Sequence, residues 1–258
     1  MVDVSQAQES DLKHMVVLGA SSEIAMATLE EFAVHGPWHL SLCGRNLEAL
    51  EALAASLCVQ YGCVCSCHYF DATMDHAAMY QLWEELSSLR VDVFFCAVGY
   101  LGPQALSQSD IQAGELIFQC NFNGLVPLIA LAGNYFESQG QGQIMVITSV
   151  AGDRGRCSNY YYGASKAAMS AYLSGLRVRL YRKGVAVINI KPGYVKTRMV
   201  AKRNLPPYIS ASVQTVAKDI YRAYLKPRAV VYTMWLWRYI MLVVKLLPDF
   251  VFKHLHMF

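Results

Sequence analysis

Met15-Val16-Val17-Leu18-Gly19-Ala20-Ser21-Ser22-Glu23-Ile24-Ala25 decides how this chain is read. Four consecutive apolar residues suit a short strand buried on both faces. Gly19 to Ser22 form a small-residue turn, and helical spacing takes over from Ile24 to residue 34. A strand, a tight turn and a helix in this order make the first half of a β-α-β unit. Backbone N–H groups at such a helix start are unpaired and the local dipole favours anions, so the turn is either a pyrophosphate cradle or simply a turn.

The same alternation runs outward from this segment. Residues 39–43, 63–70, 91–97, 143–148 and 186–190 are short apolar runs that read as buried strands. Between them, residues 47–61, 75–89, 115–136 and 161–183 carry helical spacing and read as crossover helices. The expected fold is α/β: a single Rossmann-type, doubly wound parallel sheet with helices on both faces. No linker divides residues 1–233, which we read as one dinucleotide-binding and catalytic domain, followed by an amphipathic tail at 234–258.

Composition narrows the function. With 258 residues, 55% of them hydrophobic and only 16% charged, the chain fills a core and is not disordered. A net charge of +3 without runs of like charge argues against a nucleic-acid partner. The first fourteen residues include Asp3, Glu9 and Asp11 and lack the apolar core of a secretory leader, so a cytoplasmic protein with reduced thiols is expected. Cys63, Cys65 and Cys67 alternate, which on a strand turns all three to one face. Cys58, Cys63 and Cys67 have loose ligand spacing but no second ligand pair, so no metal is expected.

The end of the second run, Cys43-Gly44-Arg45-Asn46, bears on the cofactor. A dinucleotide site for NAD places an acid there to accept from the ribose 2′-OH, whereas an arginine accommodates the 2′-phosphate of NADP. Here the acid is missing and Arg45 is present. Asp71 ends the third run, where it can meet the adenine amino group or cap the following helix.

Tyr162 and Lys166 stand four apart, on one face of a helix. With 16 tyrosines in the chain such a pair arises by chance, and its weight comes from its setting. Ser149 precedes it by thirteen residues, at the end of a strand in Ile147-Thr148-Ser149-Val150-Ala151-Gly152. Ligands of doubly wound folds lie beyond those strand ends. A phenol near pKa 10 becomes a workable acid or base if an ammonium and an oxidised nicotinamide ring favour phenolate. Ser149 can donate to a carbonyl oxygen gaining charge.

These residues resemble the short-chain dehydrogenase/reductase family, whose pattern is TGxxxGxG, NNAG, an Asn, a Ser, YxxxK, and PG followed by a Thr. The resemblance covers about residues 13–200. It implies catalytic roles for Asn121, Ser149, Tyr162 and Lys166, with Asn121 helping to hold a water in a proton relay through Lys166. It also implies cofactor contacts from Gly19, Ser21, Ser22, Ile24, Ala97, Gly99, Pro192, Val195 and Thr197. Two departures stand out: Glu23 and Ala25 replace the second and third loop glycines, and Cys96-Ala97-Val98-Gly99 replaces NNAG. A Glu23 carboxylate facing pyrophosphate would repel it; turned outward it would not. The Ser-Glu-Ile loop and the Trp-rich basic tail are similar to a branch of ketosugar reductases acting on polyprenyl-phosphate-linked pentoses. The expected activity is therefore NADPH-dependent reduction of a ketone, on a lipid-linked sugar in the finer reading. The alternatives are an acyl-thioester or simple ketone reductase, or a non-catalytic NADP-binding scaffold.

From Lys226 onward five bases face a single acid, Asp249, a net +4 against +3 for the whole chain. Aromatics among these bases suit a helix lying at an inner membrane face, and no stretch is long enough to span. The same apolar faces equally suit packing on the domain or on a second subunit, as in a homodimer or homotetramer. Residues 198–210, with Lys202 and Arg203, are long for a loop and read as a lid.

Overall fold

The computed structural model describes residues 12–200 and 207–254. Lys202, Arg203 and the tail beyond His254 lie outside the described residues. The strands are β1 His14–Leu18, β2 His39–Gly44, β3 Val64–Tyr69, β4 Val93–Cys96, β5 Gly142–Ile147, β6 Val185–Lys191, β7 Tyr194–Val195, β8 Ser210–Ala211 and β9 Val230–Tyr232. The helices are α1 Glu23–Val34, α2 Leu47–Tyr61, α3 His76–Leu86, α4 Gln104–Ser109, α5 Ile111–Phe118, α6 Val126–Gln139, α7 Tyr160–Leu180, α8 Val213–Leu225, α9 Leu236–Leu246 and α10 Asp249–Phe252.

Seven strands form one parallel sheet in the order β3-β2-β1-β4-β5-β6-β9, while β7 and β8 pair separately. This is the Rossmann-type α/β fold. The order reverses between β1 and β4, so the crevice beyond their C-terminal ends falls at Gly19 and Ala97. β1 and β4 are buried throughout, which is why both read as unbroken apolar runs. One apolar layer packs α1, α2 and α8 on the sheet through Leu29, Phe32, Leu50 and Ile220; the other packs α3, α6 and α7 through Trp83, Phe136 and Leu173.

Start signals placed most helices. Ser22, Asn46, Asp75 and Ser212 each accept a backbone amide from the first turn of α1, α2, α3 and α8. The helix expected at 115–136 begins at Ile111 and is interrupted by a π turn, Gln119–Asn123. The whole stretch Ile111–Gln139 is apolar and long enough to cross a bilayer. Its inner face is nevertheless core, with Ile117, Leu128, Ile129, Ala132 and Phe136 fully buried. Cys63, Cys65 and Cys67 do share one face against α2, but Cys65 and Cys67 are only half-buried because β3 is an edge strand.

The tail packs on the domain. Trp237, Met241 and Val244 are buried against Val150, with Tyr194 beside them. A methyl group on Gly193 would lie 1.9 Å from Trp237 Nε1, so that glycine is what lets the indole close over the chain. Trp237 Nε1 donates to Ile209 O at 3.0 Å.

Candidate active site

Two adjoining cavities open beyond the strand ends and share Val98 and Gly99. The first, about 500 Å³, is lined by Gly19, Ser21, Gly44, Arg45, Asp71, Ala72 and Cys120 among others. The second, about 130 Å³, gathers Ile24, Ala97, Ser149, Tyr162, Lys166, Pro192, Val195 and Thr197. Most residues expected to touch the cofactor or substrate therefore meet in one cleft. Ser22 lines neither cavity; its Oγ accepts Ala25 N at 3.1 Å and so shapes the turn.

Gly19 has φ +76°, and a Cβ there would sit 3.1 Å from Val98 N and 3.2 Å from the Ala97 carbonyl carbon. The loop can close on β4 only with glycine in this place. Its amide and that of Ala20 donate to Cys43 O at 2.8 and 3.1 Å, which ties the turn to β2. This cradle, opening into the larger cavity at the start of a helix, fits the pyrophosphate of a dinucleotide. Arg45 stands at the rim, highly exposed and 3.9 Å from Asp71. Burial works against the charge on Asp71, but the Thr73 hydroxyl and amide and the Arg45 guanidinium outweigh it, and its pKa falls below the ordinary value.

Glu23 explains how this loop lost its second glycine. Its Oε2 accepts the Arg198 backbone N–H at 2.7 Å and lies 3.6 Å from Arg198 Nε. The carboxylate is thus directed to the segment after β7 and carries a counter-charge. Ala25 is fully buried in the core, so the third departure is absorbed where α1 crosses the sheet.

Ser149 follows β5 by two residues, and its Oγ accepts Ala151 N at 3.1 Å. Tyr162 and Lys166 project from the first turns of α7, with Lys166 Nζ 5.8 Å from the phenol ring centroid. Lys166 is buried and donates to Val98 O at 3.1 Å and Ile147 O at 3.2 Å. Burial pulls its pKa down to about 8, opposed by the Cys96 thiol. Burial pushes the Tyr162 phenol above its ordinary value, and the Ser149 hydroxyl bonded to it works the other way. The expectation that the ammonium together with an oxidised nicotinamide ring favours phenolate concerns the coenzyme-bound protein. In the protein by itself desolvation wins, so Tyr162 holds its proton.

Asn121, fully buried in the π turn, spends its amide elsewhere. Oδ1 accepts Tyr100 N at 2.8 Å, and Nδ2 donates to Tyr100 O at 2.8 Å and Ser165 Oγ at 3.0 Å. Its side chain fixes the loop after β4 to α7 one residue before Lys166.

Residues of the smaller cavity that sequence reading did not single out include Leu101, Arg156, Asn159 and Met199. Arg156 is buried and its Nη2 lies 3.5 Å from Met241 Sδ. Asn159 Oδ1 is buried without a hydrogen-bond partner among the described residues. A signal existed, since both lie between Ser149 and Tyr162, but two polar loop residues give no period to read.

Comparison with known proteins agrees with this geometry. The short chain dehydrogenase family model matches residues 13–207. An uncharacterised oxidoreductase of Streptomyces coelicolor is 32% identical over 183 residues, 71% of this chain and 72% of its own length. An uncharacterised oxidoreductase of Mycobacterium tuberculosis is 29% identical over 243 residues, 93% of this chain and 96% of its own. Among solved structures, a short-chain dehydrogenase from Sphingobium yanoikuyae in complex with NADPH superposes with TM-score 0.80 at 24% identity, covering 90% of this chain and 93% of that one. A bulky-bulky ketone specific alcohol dehydrogenase from Comamonas testosteroni gives 0.76 at 22% identity, over 93% and 96%. The chain belongs to the short-chain dehydrogenase/reductase family and is an NAD(P)-dependent oxidoreductase.

Proposed function

We propose that the protein reduces a ketone to a secondary alcohol with NADPH, and that the ketone sits on a hydroxyl-rich, anionic molecule such as a polyprenyl-phosphate-linked ketopentose. The observation that carries this reading is the convergence of Ser149, Tyr162 and Lys166 on one small cavity continuous with the Gly19 cleft.

When bound, the nicotinamide supplies hydride to the carbonyl carbon. The chain does the rest. Ser149 Oγ–H donates to the carbonyl oxygen as negative charge grows there. Tyr162, kept protonated by burial, gives its phenolic proton to that oxygen and is left as phenolate. The buried Lys166 ammonium stabilises this anion. Ser21 would hold the pyrophosphate in the cradle that Gly19 leaves open, and Pro192, Val195 and Thr197 the carboxamide end. Arg45 at the rim, without an acid at the end of β2, supports NADPH over NADH. The NADPH complex among the structural neighbours accords with this choice.

Arg156 and Asn159 support the finer substrate. The Arg156 guanidinium, hydrogen-bonded to Tyr194, adds positive charge to the cavity wall, and the unmatched Asn159 amide oxygen favours a hydroxyl donor. Simple ketones offer neither an anionic group nor a hydroxyl.

The test mixes purified protein with NADPH or NADH and a panel of simple ketones, a 3-ketoacyl thioester and a prenyl-phosphate ketopentose, following coenzyme absorbance. NADPH oxidation fastest with the ketopentose is expected, with Tyr162→Phe at background. Equal turnover by both proteins would refute the role of Tyr162. Coenzyme binding without turnover of any ketone would leave a scaffold.

A further inference from the structure

The outer face of α9 has no partner among the described residues. At about 100° per residue, Trp235, Tyr239, Leu242, Val243 and Leu246 fall on one side of this helix, opposite the buried Trp237, Met241 and Val244. Trp235 is 74% exposed, Leu246 73% and Phe250, on the next helix, 69%. The stripe is contiguous and too apolar to be ordinary surface. Trp38, Trp83 and Trp237 are all buried, so Trp235 departs from the way this chain treats its other tryptophans.

Charge identifies the occupant. A concavity of about 520 Å³ beside the stripe is lined by Arg228, Arg238, Lys245 and Lys191 together with Trp235, and no acid lines it. The sheet ends here, since β9 is its edge strand. Acids near this face are already engaged: Asp153 by Lys191 and the Tyr232 hydroxyl, Asp219 by Arg222 and the Met234 amide, Asp249 by Arg154. Arg238 and Lys245 lie two turns apart on one flank of the apolar stripe. Apolar and aromatic side chains flanked by unopposed bases match the boundary of an anionic bilayer, where rings reach the acyl layer and bases meet phosphates.

We infer that the face formed by β9, α9 and α10 docks the protein on an anionic lipid surface, inserting Trp235, Leu242, Leu246 and Phe250 and placing Arg228, Arg238 and Lys245 among the headgroup phosphates. The inner face of the same helix packs on Val150 and Tyr194, which line the catalytic cavity. Docking therefore holds that cavity one helix diameter from the lipid. The inference does not depend on the identity of the ketone.

Full-length protein is sedimented with vesicles of phosphatidylcholine alone or of phosphatidylcholine and phosphatidylglycerol at 7:3 (about one lipid in three anionic). Binding to the mixed vesicles, a blue shift of Trp emission that is absent in Trp235→Phe, and loss of both in high salt are expected. Each base near an anionic surface contributes roughly fivefold, so Arg238→Gln/Lys245→Gln weakens binding roughly 25-fold. Leu242→Glu/Leu246→Glu leaves the buried face intact and reduces binding to background. Retained coenzyme binding in each variant shows that the domain is folded. Failure of the native protein to bind mixed vesicles, or binding unchanged in both double variants, overturns the inference. So does a dimer in lipid-free solution that Leu242→Glu/Leu246→Glu splits into monomers, because a second copy would then own the face.

Discussion

Lys166 gives the sharpest test of the electrostatics of the site. It is buried, and burial brings its pKa from 10.5 to about 8. The unfolded chain keeps the ordinary value, so between about pH 8 and 10.5 it binds more protons than the folded protein, and stability rises across that window. Below pH 8 both states are protonated and the full cost of burying the charge stands. At about 1.4 kcal/mol per tenfold, that cost is about 3 kcal/mol. Above pH 10.5 it is gone. Lys166→Met keeps the stem and removes the charge, and with it the dependence on pH. The variant also leaves Val98 O and Ile147 O without their donor, a loss of about 1 kcal/mol each that does not vary with pH. The stability gap, variant minus native, should therefore shrink by about 3 kcal/mol from pH 7 to pH 10.5. Urea unfolding of coenzyme-free protein at fixed pH values measures it, and the subtraction cancels every other titrating group. Cys96, the thiol coupled to Lys166, is pushed up by burial to about 11 and titrates above the window. A gap that stays constant would refute the claim that Lys166 is held charged against its own desolvation. Turnover of the variant should fall at least about 100-fold at every pH, so the residue that costs stability is the one the chemistry needs.

Four other substitutions probe separate parts of the cleft. Tyr162→Phe should lower kcat by about 10²–10⁴ with coenzyme affinity retained, since only the proton donor is removed; steady-state kinetics and a fluorescence titration separate the two. Arg45→Ala should raise KM for NADPH about 10–100-fold and leave KM for NADH alone, as expected for losing a charge-assisted bond worth about 1.5–3 kcal/mol. Glu23→Gly restores the family glycine but frees the Arg198 backbone, so trypsin should cut after Arg198 roughly fivefold faster, measured by mass spectrometry of a time course. Gly193→Ala drives a methyl group into the buried Trp237 indole and should cost about 1–3 kcal/mol in thermal unfolding, part of which Trp237→Leu in the same chain should restore.

Much of the fold was legible because the six strands from β1 to β6 are short, apolar and separated by capped helices, and a parallel sheet buried on both faces leaves that signature. β9 escaped notice: it has three residues, and Val230 is exposed at the sheet edge. α8 escaped as well, although Val216, Ala217, Ile220 and Ala223 recur at helical spacing after the Ser212 cap. The proposed catalytic trio was legible because a phenol and an amine four apart have a defined relation on any helix. The direction of the Tyr162 shift in the coenzyme-free protein was not, because desolvation depends on what packs around a group and no spacing reports it. Arg156 and Asn159 illustrate the same limit, as they reach the cavity through loop conformation alone.

The replacement of a loop glycine by Glu23 looks damaging in sequence and becomes intelligible in three dimensions. Glycine at that position lets a phosphate approach the backbone, whereas a carboxylate adds bulk and a like charge. Here the carboxylate is committed to Arg198, which follows Thr197 in the segment lining the smaller cavity. The pair is close to neutral, so the loop does not present a net negative charge to the cleft. It also makes a covalently distant connection, from the first turn of α1 to the chain after β7. Gly193 makes the matching connection on the other side of that segment by admitting Trp237 of α9. The stretch from Pro192 to Arg198 is thus held at one end by the tail and at the other by the phosphate loop. Both ties come from residues outside the catalytic motif, and both replace freedom that a bare glycine loop and an untethered tail would leave. Under the proposed reduction, a cleft fixed in this way would hold the hydride donor's ring in place before substrate arrives.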